Sequence, residues 1–186
     1  MSLITIVLSF YNQPSDVLEK HLDSWLQFPI KIQKLFTFCI IDDSSKVPMT
    51  EIVNFKNYNS LNLELYRIQD DLYCNIAGVR NLGAEKCKTP YMLILDMDTL
   101  VDSMMAVHIV KLATNNMFNP FVFKFNRKCI NPQHNKHHKI HPAICLIRRA
   151  DYFNIGGCEE DLVGNYGYTD PCFWLRAQGK VRVILM

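Results

Sequence analysis

Short apolar runs and amphipathic stretches alternate along the first two thirds of the chain. Residues 3–9 are apolar and rich in β-branched side chains, the pattern of a short strand buried on both faces. Residues 12–15 supply turn and capping chemistry, after which Val17, Leu18, His21, Leu22, Trp25 and Leu26 share one face of a helix. Residues 35–41 form a second buried run, and residues 61–68 a third with alternating character. A helix over 75–87 leads into a fourth run at 91–95. Helical spacing returns from Ser103 to about Asn115, with Met104, Val107, Val110 and Leu112 as its apolar members. Residues 121–125 and 144–148 predict further strands. The alternation predicts an α/β fold with a mainly parallel central sheet and helices on both faces. The apolar, uncapped end at 181–186 reads as a closing sheet strand or as a cut in a longer polypeptide.

Composition narrows the class. A chain of 186 residues fits one domain with a real core, and 49% hydrophobic against 20% charged residues is a globular balance. A net charge of +2 without a basic stripe gives no ground for a nucleic-acid partner. Seven cysteines without a C-x-x-C pair read as reduced thiols in a cytosolic-type compartment. No run approaches the roughly 20 apolar residues that a membrane helix needs, and no leader pattern opens the chain. The expected location is therefore cytoplasmic, with no membrane segment in this chain.

Chemistry concentrates where the apolar runs end. The run at 91–95 stops in Asp96 and Asp98, which share a face if the strand continues through Met97. Two convergent carboxylates there suit a hard divalent cation carrying a phosphate. The first run ends in Ser9, Phe10, Tyr11 and Asn12, whose rings and amide can stack on and hydrogen-bond a flat base. Asp42 and Asp43 end the second run, one or the other able to accept from a ring N–H such as that of uracil. Arg80 offers a bidentate fork to a nucleobase or diphosphate, while Gly83 can allow its helix close to a strand. A glycine-rich stretch over 156–170 carries Glu159, Glu160 and Asp161. It ends in Asp170, with Pro171 at the expected first position of a helix containing Trp174. His134, His137 and His138 read as a polar loop, whereas His141 directly precedes an apolar strand.

The order of these motifs resembles that of the family 2 nucleotide-sugar glycosyltransferases of the GT-A, Rossmann-like fold. Residues 141–149, 156–157 and 166–170 are similar to a galactosyltransferase-type C-terminal motif. The resemblance covers nearly the whole chain as a single domain. It implies a nucleotide-binding half over about 1–100 and an acceptor and catalytic half over about 101–186. It implies a UDP-sugar donor, Mn2+ or Mg2+, and a glycan or glycoprotein acceptor. Phe10, Tyr11, Asn12, Asp42, Asp43 and Arg80 would hold the nucleotide. Asp96 would lie near ribose and metal, Asp98 would ligate the metal with His141 completing its shell, and Asp170 would be the general base of an inverting transfer. The family's acidic pair before the last helix is here Thr169-Asp170, so Glu159, Glu160, Asp161 or Trp174 would serve the acceptor. Compact domains of this type also occur in large DNA viruses, for which the compartment would be the host cytoplasm.

Three rival readings use the same residues. Residues 93–103 are similar to the haloacid-dehalogenase signature, with Asp96 as a phosphoryl-accepting nucleophile. That signature normally opens its fold, and here three strands precede it. Binding of a nucleotide sugar or glycan without turnover is a second rival, supported by Thr169. A nucleotidyltransferase is the third, though the Gly-rich phosphate loop expected after the first strand is absent.

Overall fold

The structure, a computed structural model, describes residues 1–115, 120–128 and 140–186. His134, His137, His138 and Cys129 lie outside the described residues. In chain order the elements are β1 (Ile4–Phe10), α1 (Ser15–Leu26), α2 (Ile30–Gln33), β2 (Phe36–Asp43), α3 (Met49–Ile52), β3 (Leu63–Ile68), α4 (Ile76–Lys86) and β4 (Tyr91–Leu95). They continue with α5 (Ser103–Asn115), β5 (Phe121–Asn126), β6 (Ile140–Arg148), α6 (Arg149–Ile155), α7 (Thr169–Ala177) and β7 (Arg182–Leu185).

Seven strands form one sheet in the order β3-β2-β1-β4-β6-β5-β7. All neighbouring pairs are parallel except those of β6, which runs against β4 and β5. The mainly parallel α/β expectation holds, but the run at 144–148 proves longer, beginning at Ile140, and antiparallel. That reversal matters to function, because the first residues of β6 meet the sheet edge where β1, β2 and β4 end.

One face is packed by Leu18, Leu22 and Trp25 of α1 and by Ala106, Ile109 and Ala113 of α5, against Ile6, Phe38, Leu93 and Leu146. On α5 the buried face is Ala106, Ile109, Val110 and Ala113, and Met104 stands 80% exposed, so the expected core role of Met104 is corrected. The small residues let α5 lie close to the sheet, which Met and Leu spacing did not show. Tyr152, Ile155, Phe173 and Ala177 of α6 and α7 cover the opposite face over Met92, Ile94, Val122 and Ile147. Here α4 also packs, with Val79 against Val7, Cys39 and Ile41. A Cβ on Gly83 would overlap the Val7 side chain, so only glycine allows α4 this near β1.

Residues 182–185 do pair, in parallel with β5, as the last strand of the sheet. The six described cysteines are all free thiols, and burial pushes Cys39 and Cys145 up to about 12, which keeps them inert. Among the described residues no helix is long and apolar enough to cross a membrane.

Candidate active site

The ends of β1, β2 and β4 converge with the starts of β6 and α7. Strand β4 stops at Leu95, so Asp96 and Asp98 do not owe their convergence to the pleat. They lie on a turn closed by the Thr99 amide donating to the Asp96 carbonyl at 3.1 Å. Below the turn, Nε2 of the buried His21 lies 3.0 Å from the Met97 carbonyl oxygen. Burial pulls His21 below its ordinary value, so the ring is neutral and can donate from Nε2. His21 on α1 therefore anchors the acidic turn, a role its place on the apolar helix face concealed.

Asp96, Asp98 and His141 each offer a ligand atom within 4.8 Å of the others, the geometry of a small cation site. His141 Nε2 sits 3.5 Å from Asp98 Oδ1. This contact, with Thr99 donating to the same oxygen at 3.0 Å, holds the Asp98 carboxyl below the usual range. A carboxylate that stays ionised, beside a second one, fits a hard divalent ion. His141 fits with one adjustment. Its Nδ1 accepts from the Ala143 and Ile144 amides at 3.2 and 3.3 Å, so the neutral ring carries its proton on Nε2. A cation taken by Nε2 would move that proton to Nδ1 and cost those two long contacts.

Arg80 is the centre of the site. It is 5% exposed, and its Nη1 donates to Asp170 Oδ1 at 2.6 Å while Nη2 donates to Asp96 Oδ1 at 3.2 Å. Burial works against the charge on Arg80, but Asp96 and Asp170 outweigh it and hold the guanidinium firmly protonated. Arg80 therefore fixes two carboxylates at a set separation, where a direct fork to a nucleotide was expected. Among the described residues its buried Nε has no hydrogen-bond partner. Asp170 is not the N-cap: α7 begins at Thr169 with Tyr168 before it, so Pro171 is the third helical residue. The second oxygen of Asp170 accepts from no described residue.

The nucleotide-side candidates divide. Phe10 is completely buried in the core and cannot stack on a base, which corrects that expectation. Asn12 ties two loops together, its amide donating to Ser45 Oγ at 2.9 Å and its Oδ1 accepting from Lys46 N at 2.8 Å. Tyr11 remains exposed, its hydroxyl donating to Asp71 at 3.2 Å. Asp42 is fully buried and spends both oxygens on Ser45 N, Met49 N and Arg67, at 2.8, 2.9 and 2.7 Å. With both oxygens engaged by the protein and no surface exposed, it is closed to a base. Asp43, one residue on, lies on the other face of the strand and accepts from Asn75 Nδ2 at 3.2 Å. Burial raises Asp43 above the ordinary aspartate value.

On the acceptor side, Glu159 is paired with Arg176 at 2.8 Å and Glu160 accepts from Asn81 at 2.6 Å, so both are committed to holding the glycine-rich stretch. Asn81 also bonds Tyr152 and the Cys158 amide, a network that the sequence did not announce. Asp161 is exposed and pairs with no described residue. Trp174 is half-buried, with Nε1 donating to the Pro142 carbonyl at 2.6 Å.

Comparison with known proteins agrees with this fold. No curated protein matches the chain. Among solved structures, S. aureus TarS in complex with UDP-GlcNAc superposes with a TM-score of 0.75 at 17% identity, over 100% of this chain and 56% of that one. S. aureus TarS alone gives 0.74 at 18%, over 100% and 58%. The mannosyltransferase PcManGT from Pyrobaculum calidifontis, in complex with GDP-Man and Mn2+, gives 0.72 at 17%, over 98% and 54%. The chain thus has the GT-A fold of these transferases and spans a little over half their length. Residues 5–122, from β1 into β5, match the family described as glycosyltransferase like family 2. That match leaves no place for the phosphatase reading of Asp96. The chain belongs to glycosyltransferase-like family 2.

Proposed function

We propose that this domain transfers a sugar from a nucleotide donor, a UDP-sugar, to a hydroxyl of a glycan acceptor, with inversion at the anomeric carbon. The observation that carries the reading is the Asp96–Arg80–Asp170 bridge, with Asp98 and His141 on its donor side. The nucleotide complexes of the structural neighbours support the donor class. Asp43, with Asn75 holding its carboxylate, accepts from the ring N–H of the base. Asp96, Asp98 and His141 would hold a divalent cation. When bound, that cation neutralises the charge of the departing diphosphate.

Asp170 then takes the proton of the acceptor hydroxyl as its oxygen forms a bond to the anomeric carbon. The bond from that carbon to the phosphate oxygen breaks in the same step, so the carbon inverts. Arg80 keeps one oxygen of Asp170 engaged and leaves the other for this proton. The loop before α7 exposes Tyr166 and Tyr168, 85% and 61%, two aromatic faces suited to sugar rings.

Mn2+ with a panel of UDP-sugars, with and without glycan acceptors, tests the reading through UDP release. Asp170→Asn should lower turnover by about 10²–10⁴ while UDP still binds. Wild-type turnover in that variant, where chemistry limits the rate, would remove Asp170 as the base. Saturable donor binding with no UDP release under any acceptor would instead establish a binding module, the reading favoured by the buried Thr169 in place of an acid.

A further inference from the structure

Lys124 has no part in the mechanism above. On β5, Val122 packs beneath α6 and α7, and Lys124 stands two residues on, in register with Cys145 of β6. The strand pleat carries Lys124 to the same face, against Trp174 of α7. Its ammonium lies 4.0 Å from the centroid of the Trp174 ring. That ring is itself fixed by the Trp174–Pro142 hydrogen bond. Among the described residues Lys124 has no carboxylate at ion-pair distance, and Asp170 is the acid whose field it feels. Burial weakens its hold on the proton, and the charge of Asp170 works the other way. A half-buried ammonium, immobilised on an aromatic face without an ion-pair partner, has given up much of its hydration and gains on meeting an anion.

The wider charge pattern has the same sign. Eleven of the 20 Lys and Arg residues follow residue 100, against six of the 18 acidic ones. Arg127 and Lys128 are exposed just beyond the end of β5.

We propose that Lys124, seated on Trp174 beside Asp170, recognises an anionic group of the acceptor, a phosphate or a carboxylate, and so selects acidic glycans over neutral ones. The inference rests on the glycosyl-transfer reading and names its acceptor class. Lys124 sets specificity: it positions the acceptor whose hydroxyl Asp170 deprotonates.

The test is a glycan array divided into phosphorylated, uronate-bearing and neutral members, probed with the full chain in the presence of Mn2+ and UDP. A separate titration of UDP with Mn2+ reads the donor site. Retention of phosphorylated or uronate-bearing glycans is expected, the two groups telling phosphate from carboxylate. Lys124→Gln should weaken the best of them about 10- to 100-fold, and Lys124→Arg should restore most of that loss. Thermal unfolding of each variant shows that it is folded. Retention of neutral glycans alone, of no glycan, or of acidic glycans equally by Lys124→Gln overturns the proposal while UDP binding keeps the transferase reading. An equal loss of UDP affinity in Lys124→Gln would assign the lysine to the donor diphosphate and also overturns it. Failure of the wild-type protein to bind UDP at all removes both.

Discussion

Two aspartate pairs lie at the carboxyl ends of β2 and β4, the parallel strands on either side of β1, and they work differently. Asp42 and Asp43 are the last two residues of β2, still within the pleat, so their side chains part to opposite faces. Asp42 becomes a buried staple for the 45–49 loop and Arg67, and Asp43 is left facing the site. Asp96 and Asp98 lie beyond the end of β4, on a turn held beneath by His21 and beside by His141, so both reach the site. An adjacent pair in a strand divides its labour between stability and binding. A spaced pair on a fixed turn pools it.

The contrast breaks most sharply at Asp42. Asp42→Ala leaves two buried amides and Nη1 of Arg67 without their acceptor, and should cost about 3 kcal/mol of stability in urea unfolding. The folded fraction should still bind UDP. A stable Asp42→Ala protein that loses UDP would reverse the assignment within this pair. Asp98→Ala should do the opposite, lowering the unfolding midpoint only slightly while Mn2+-dependent UDP binding falls about 100-fold, since even indirect partners of metal ligands are worth ~10–100-fold. Calorimetry with Mn2+ and then with a chelator checks it, and identical affinities in mutant and wild type would end the case for a cation there. Asp43→Ala should weaken UDP by about tenfold, the value of one charge-assisted hydrogen bond, without lowering the unfolding midpoint.

The smallest effect is one of pH. The folded protein holds the Asp43 proton more tightly than the unfolded chain does, so Asp43 subtracts stability as pH rises from about its usual 3.8 through its raised folded value. UDP affinity should rise over the same window as the carboxylate ionises. Asp98 is depressed, and its contribution is full above the usual 3.8 and lost as pH falls through its lower folded value. Urea midpoints measured across acid pH should therefore lose the Asp43 slope in Asp43→Asn. An unchanged profile would mean that Asp43 is as solvated as an ordinary surface acid.

The fold was largely legible because its signals are local. Short apolar runs, β-branched in β1 and β2, marked β1, β2 and β4, and the Leu18–Leu22–Trp25 face marked α1. The direction of β6 was not, since an apolar strand of nine residues reads alike either way round. At the site, the sequence pointed to the carboxylates, the arginine and His141 as types. Their partners were hidden by distance along the chain. Arg80 meets Asp170 across 90 positions and His21 meets Met97 across 76, and no spacing rule reaches so far. Phe10 misled because an aromatic at a strand end can face either the ligand or the core, and pleat parity sends this one inward.

Gly83 sets a dimension that no substrate touches. One helical turn after Arg80, it lets α4 rest against Val7 with no side chain between them. The depth of that seat determines how far the guanidinium reaches towards Asp96 and Asp170. Gly83 is in this sense the gauge block of the site. Enlarging it to alanine would lift the helix and carry Arg80 with it, at about 1–3 kcal/mol of overpacking. Tuning the tolerance of this active centre therefore means working on the far side of a helix, at a position with no chemistry of its own.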